Sequence, residues 1–382
     1  MGAGAGVVAR LINEYHRDRL VRNEQENLID TFTKNPESII DTAYNLESEW
    51  ETEISQREQI LSATELVYPN LDYNRDLSTW MIQSCKLAVQ QYKTGRNNPR
   101  YDGDLTLLPD YNANFHNYQQ LTSFQIEEEI VENYLRLESR LVTEDGDSSM
   151  MTTLHDAESK IRRLLKNIAN RSNRHKLFIG FVIASKKSNI IAFRGTQTQV
   201  EWWHNLQAVQ QDYRDLGTNK LYGRVHRGYL TIVRNQINSL LFEAVKQLNP
   251  ELPCYVTGHS LGAAIATLAA FEIALNFPEI RKNLQLYTYA GPRVGDRDFA
   301  QAHSKMIPNS YRIVNLSDFV PLVPPITIDN QFTQATYAHV GQKWGFTSQF
   351  GDVLLNHVVD TYRSAIEAQQ EIPLENPLDQ MM

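Results

Sequence analysis

The stretch Pro253-Cys-Tyr-Val-Thr-Gly-His-Ser-Leu-Gly-Ala-Ala-Ile-Ala-Thr-Leu-Ala-Ala-Phe271 constrains this chain more than any other. A short β-prone run, Tyr255-Val256-Thr257, stops at Gly258, and after Gly262 the composition turns to Ala, Leu and Ile, which sit well in a helix. Between them lies Gly258-x-Ser260-x-Gly262, the pattern of a sharp strand-to-helix turn with the serine at its apex. Glycine is demanded on both flanks because a Cβ there would strike the adjoining strand or helix. The helix start turns its unpaired N–H groups and positive dipole end toward the serine, where a developing negative charge can be held. A bare Gly-x-Ser-x-Gly in a chain of 18 glycines is a weak signal. Its position between a strand and an Ala-rich helix makes Ser260 the candidate nucleophile.

A serine nucleophile needs a base to take its proton and a carboxylate to orient that base. On a strand–turn–helix scaffold of this kind the order along the chain is Ser, then Asp or Glu, then His. Asp318 follows the β-prone run Tyr311–Asn315 and precedes the Pro-rich Phe319-Val-Pro-Leu-Val-Pro-Pro325, which suits an acid held at a strand end. Asp296, after Pro292-Arg-Val-Gly295, reads instead as a helix cap or a partner of Arg293. Of the downstream histidines, His357 at a loop-to-helix junction is the favoured base, and His339 is the fallback. An oxyanion needs two backbone N–H donors. Leu261, directly after the serine, offers one, and Thr196 in Phe193-Arg-Gly-Thr196 offers the other.

Two readings stay open for the segment after Thr198. Thr198-x-x-Glu201 is a capping box that starts a short helix with Val200, Trp202, Trp203 and Leu206. In one reading one tryptophan is buried and the other covers a neighbour. In the other the segment is a lid, apolar beneath, that opens at an oily interface.

Along the rest of the chain, residues 1–65 read as an N-terminal helical extension of two charged amphipathic helices. They either pack on the main domain or a second copy, offering a route to self-association, or serve regulation or membrane docking. A helix follows over 76–92, then a Gly/Asn/Pro/Asp-rich loop over 94–117. A helical run spans 125–170, broken by the polar stretch Thr143–Ser149. From Lys176 the pattern changes. Two β-rich runs joined at Ser185-Lys-Lys-Ser188 form a hairpin, after which strands and helices alternate. The expectation is an α/β fold over 66–382 with a mostly parallel central sheet flanked by helices.

Composition narrows the classes of function. A net charge of −8 provides no basic field for a phosphate backbone, so nucleic acid is not expected as a partner. No run approaches the roughly 20 apolar residues of a spanning helix, and the N-terminus lacks a secretory apolar core. A cytoplasmic protein is expected, with peripheral attachment to a membrane left open. The two cysteines, Cys85 and Cys254, make no disulfide framework.

With these residues in view, the chain resembles the class 3 lipases, an α/β-hydrolase family that includes fungal triacylglycerol lipases and plant acylhydrolases. The resemblance covers roughly residues 177–362. It rests on Phe193-Arg-Gly-Thr196, Trp202-x-x-Asn-Leu206, Val225-His-x-Gly-Tyr229, Gly258-His-Ser-Leu-Gly262, Tyr287-x-Tyr-Ala-Gly-Pro-Arg-Val-Gly-Asp296, Val314-Asn-x-x-Asp318 and Tyr337-x-His-Val-Gly341, in that order. The resemblance implies a Ser260–Asp318–His357 triad, an oxyanion hole at Thr196 and Leu261, and a lid after Thr198. It also implies hydrolysis of lipid esters, acylglycerols or polar glycerolipids, at a membrane or lipid-droplet surface, with no metal or organic cofactor. Two rival readings are an esterase for soluble or aryl esters and a lipase-fold scaffold without turnover. The sequence departs from the pattern at position 263, where Ala stands for a common Gly, and in lacking the secretion signal and disulfides of secreted members.

Overall fold

The computed structural model of the protein describes residues 69–127, 176–195, 209–329, 334–349 and 353–368. The N-terminal extension, the polar stretch at 143–149, Thr196 and the Trp-rich segment that follows it all lie outside the described residues.

The first element is α1 (Arg75–Asn97), whose N-cap Asn74 accepts from the Leu77 N–H. Strands β1 (Gln119–Glu127), β2 (Lys176–Ala184) and β3 (Asn189–Phe193) come next, then the hairpin β4 (Gln210–Arg214) and β5 (Leu221–His226). Helices α2 (Arg227–Ile232) and α3 (Asn238–Val245) lead to β6 (Cys254–His259), α4 (Leu261–Asn276), β7 (Leu284–Tyr289), α5 (Arg297–Met306) and β8 (Ser310–Asn315). A two-stranded ribbon, β9 (Thr327–Asp329) and β10 (Gln334–Thr336), precedes β11 (Gln342–Phe346), α6 (Val353–His357) and α7 (Val359–Glu367).

Seven strands form one sheet in the order β1-β2-β3-β6-β7-β8-β11. The β1–β2 and β2–β3 pairs are antiparallel, while β3–β6, β6–β7, β7–β8 and β8–β11 are parallel. The sheet is therefore mostly parallel and flanked by helices, as the alternation of strands and helices in the sequence predicts. The Ser185–Ser188 turn makes the hairpin read from the sequence, with Ser185 Oγ accepting from the Lys187 and Ser188 N–H groups at 3.1 Å.

Because side chains alternate across a strand, β7 serves two cores. Leu284 and Leu286 join the core with α2, α3 and α4, whereas Tyr287 and Tyr289 face α1 and α7 on the other side. Helix α4 is apolar all round and buried along almost its whole length, as expected of a helix enclosed between sheet and neighbours. Its one charged residue, Glu272, is 2% exposed and meets Arg234 Nε at 2.7 Å.

Two expectations are corrected. The helical run does not begin at Gln125, because Gln119–Glu127 is the edge strand β1, with Phe124 and Ile126 buried at a period of two. Residues 94–97 belong to α1 rather than to a loop, and 3₁₀ and π turns follow at Leu105–Leu107 and Tyr111–Phe115. Gly95 lies where a Cβ would fall 2.6 Å from the Phe178 ring, so here a glycine marks close packing rather than a break.

Candidate active site

Ser260 stands between β6 and α4 with φ 59° and ψ −128°, a conformation that non-glycine residues rarely adopt. The turn is held open by its glycines. A Cβ on Gly258 would fall 2.0 Å from the Gly262 carbonyl oxygen, and one on Gly262 would fall 2.6 Å from the Phe193 carbonyl oxygen. The Ser260 N–H donates to the Tyr289 carbonyl at 2.9 Å, which ties the turn to the end of β7.

Three distant segments converge on this serine. His357, at the end of α6, brings Nε2 to 2.8 Å from Ser260 Oγ and Nδ1 to 2.7 Å from Asp318 Oδ2. Asp318 lies just past β8, and its Oδ1 accepts from the Val320 N–H at 3.0 Å. Serine, histidine and carboxylate are all buried. The third segment is the end of β3. A Cβ on Gly195 would fall 2.7 Å from Ser260 Cβ and 3.3 Å from its Oγ, so the chain leading into position 196 passes directly beside the serine. Leu261 opens α4 next to it and is buried. Thr196, Val200, Trp202, Trp203 and Leu206 lie outside the described residues.

Three residues of the site went unread in the sequence. Tyr362, on α7, donates its hydroxyl to Asp318 Oδ2 at 2.7 Å and accepts from the Asn315 N–H at 3.0 Å. Burial and the nearby Asp318 push its hydroxyl well above the usual tyrosine range, so it stays a donor. His259, directly before the serine, donates from Nε2 to the His357 carbonyl at 2.7 Å. Burial, then the neighbouring His357, holds its imidazole well below the usual histidine value. Asn315 binds the loops on either side through its side-chain amide. The Val314-Asn-x-x-Asp318 pattern pointed at the third of these, while a single tyrosine in a helix carries no such signal.

The competing candidates fall elsewhere. Asp296 caps α5 by accepting from the Phe299 N–H at 2.9 Å, and its other oxygen accepts from the Arg224 N–H. Arg293 is buried and donates to the Leu322 and Pro324 carbonyls, which fixes the loop beyond Asp318. His339 hydrogen-bonds the Pro321 carbonyl, and burial followed by Arg312 and Arg293 holds its imidazole well below the usual value. The structure brings His357, not His339, to the serine.

The comparison with known families bears on the same residues. Residues 190–328 match the family described as Lipase (class 3). Over that segment the chain is similar to the class 3 lipases. The segment holds Ser260 and Asp318 but ends before His357. A chloroplastic phospholipase A(1) of Arabidopsis thaliana is 32% identical over 160 residues, 38% of this chain and 36% of that protein. A lipase of Rhizomucor miehei is 34% identical over 168 residues, 43% of each chain. Among solved structures, lipase II from Rhizopus niveus aligns with 72% of this chain and 83% of its own, at 20% identity and a TM-score of 0.46. The chain spans less than half the length of these curated relatives.

Among the described residues no group of His, Cys, Asp and Glu is arranged to hold a metal ion, and no helix is long and apolar enough to cross a membrane. Cys85 and Cys254 are buried free thiols, each pushed up to about 12 by burial.

Proposed function

We infer that this protein hydrolyses carboxylic esters of lipids through an acyl-enzyme on Ser260. The observation that carries the reading is the hydrogen-bonded line from Ser260 Oγ through His357 to Asp318, at 2.8 and 2.7 Å, set on a strained strand-to-helix turn. Ser260 Oγ attacks the ester carbonyl carbon while its proton passes to His357 Nε2, and Asp318 steadies the imidazolium. The oxyanion is held by the N–H groups of Leu261 and Thr196, a role for Thr196 supported by the approach of Gly195 to the serine. His357 then gives its proton to the departing alkoxide. Water, deprotonated by the same nitrogen, attacks the acyl carbon, and His357 returns that proton to the departing Ser260 Oγ as the acid is released.

The relatives named lipase and phospholipase A(1) support acylglycerols or polar glycerolipids as the substrate class. Such esters are presented at a membrane or lipid-droplet surface. In this reading the segment after Thr198 acts as the lid, and residues 1–65 are an N-terminal helical extension.

The test is a ladder of p-nitrophenyl esters, short to long acyl, assayed on wild type and Ser260→Ala with and without a lipid dispersion. The reading expects turnover that depends on Ser260 and rises with long chains at an interface. A Ser260-dependent preference for short soluble esters would move the substrate class to soluble esters. Equal inactivity of both proteins on every ester would overturn the hydrolase reading and leave a scaffold role.

A further inference from the structure

Asn315 is the last residue of β8, and its side chain is fully buried. A buried primary amide has two N–H donors and a carbonyl oxygen with two acceptor positions, and leaving any of them unmet is costly. Asn315 meets all four. Its Nδ2 donates to the Ser348 carbonyl at 2.9 Å and to the Asn356 carbonyl at 3.0 Å. Its Oδ1 accepts from the Ser317 N–H at 3.2 Å and the Ser348 N–H at 3.0 Å.

The partners are arranged around the site. Ser317 directly precedes Asp318, Asn356 directly precedes His357, and Ser348 lies on the connection running from β11 toward α6. All four bonds go to main-chain atoms, so the amide gauges the separation of the Asp318 loop and the end of α6 themselves. The Asn315 main chain takes part as well, since its N–H donates to the Tyr362 hydroxyl that in turn donates to Asp318 Oδ2. Asn356 closes the circuit from the other side by donating from Nδ2 to the Ser317 carbonyl at 3.2 Å.

We propose that Asn315 is a positioning residue that sets the distance between the acid and the base, clamping the loop of Asp318 to the end of α6 that carries His357. The proposal rests on the reading of Ser260, His357 and Asp318 as a triad. An amide is the side chain that fits. Aspartate at this position has no N–H to offer and would set a carboxyl oxygen against two carbonyl oxygens. Serine has one donor and is too short to reach both segments. Without the clamp the two segments separate, His357 Nδ1 leaves Asp318 Oδ2, and the base loses its orientation while the substrate contacts are untouched.

The experiment uses the full chain and the variants Asn315→Asp and Asn315→Ser, beside wild type and Ser260→Ala. Reactive sites are counted by the p-nitrophenol released stoichiometrically from a p-nitrophenyl phosphonate, run to completion. The kcat per counted site and the KM are then measured on a p-nitrophenyl ester, together with Tm. The clamp predicts that kcat per counted site falls about 10- to 100-fold with KM little changed, because loss of alignment at the reacting atoms lowers turnover and not binding. If Asn315→Asp fails to fold, Asn315→Ser, which keeps one hydroxyl donor and no misplaced charge, gives the same reading. A lower Tm and fewer reactive sites, with kcat per site at the wild-type value in the folded variants, would show mere structural support and overturn the clamp. Absence of any Ser260-dependent release in wild type would overturn the triad reading and the clamp with it.

Discussion

Tyr362 Oη and His357 Nδ1 meet on the same oxygen of Asp318, Oδ2, each at 2.7 Å. The two donors approach from α7 and from the end of α6, so one carboxylate oxygen gathers both elements of the C-terminal region to the end of β8. A carboxylate oxygen held by two donors has little freedom to rotate, which keeps it aligned with the imidazole.

Tyr362→Phe keeps the ring in place against Phe346 and His259 and removes only the hydroxyl. Turnover of a p-nitrophenyl ester should fall about 10-fold with KM little changed, since one hydrogen bond to a charged group is lost. Wild-type kcat in the variant would show that the hydroxyl does not steady Asp318.

Gly195→Ala places a methyl group 2.7 Å from Ser260 Cβ, a separation that real Cβ atoms do not tolerate. Either the β3 end or the serine must shift, and a shift near 1 Å costs up to about 100-fold in rate. Steady-state kinetics beside a thermal melt would check this: kcat should drop far more than Tm. Unchanged kcat would mean that the end of β3 does not shape the site.

Burial pushes His226 down to about 3 and His303 down to about 4, from an ordinary value of 6.5. The unfolded chain therefore binds protons that the folded chain refuses, so their contribution is intact above about 6.5 and is lost as pH falls toward 4. Each such histidine steepens the loss by up to about 1.4 kcal/mol per pH unit. His226 Nδ1 also accepts from the Gly228 N–H at the start of α2, a cap that asparagine can supply. His226→Asn should thus reduce the drop in urea midpoint between pH 7.5 and pH 5. An identical drop in both proteins would contradict the argument.

Glu272 and Arg234 form a buried ion pair at 2.7 Å, with the guanidinium also over the Tyr213 ring at 4.5 Å and donating to the Arg214 carbonyl. Removing only the carboxylate leaves a largely buried cation without its charge partner. Glu272→Ala should cost about 3–5 kcal/mol by urea denaturation, and the double variant Glu272→Met/Arg234→Met should cost much less than the two single changes summed. Additive losses would mean the two groups do not act as a pair.

The sequence carried the architecture where period and turn chemistry agree. Strand β8 falls on the β-prone run Tyr311–Asn315, and the Ser185–Ser188 hairpin follows from its own hydroxyl. It carried the serine turn because the glycines there answer to direct contacts, and those contacts are visible in Gly258 against Gly262. It missed β1 because the Gln, Thr and Ser positions of that run mask a two-residue period that only Phe124 and Ile126 reveal once buried. It missed Tyr362 and His259 because their roles depend on a meeting of distant segments, 44 residues apart for Tyr362 and Asp318 and 98 for His259 and His357, which no local pattern encodes. Asn315 sat inside one of the motifs, yet its four main-chain bonds reach three separate segments, at Ser317, Ser348 and Asn356, and appear only when the chain is folded.

The most direct test of the account is covalent. Wild type and Ser260→Ala are incubated with a p-nitrophenyl alkylphosphonate, and the adduct is read by intact mass and peptide mapping. The account predicts one phosphonyl group per chain, on Ser260, with none on the variant. An unlabelled wild type, or labelling that survives Ser260→Ala, would contradict a nucleophilic Ser260.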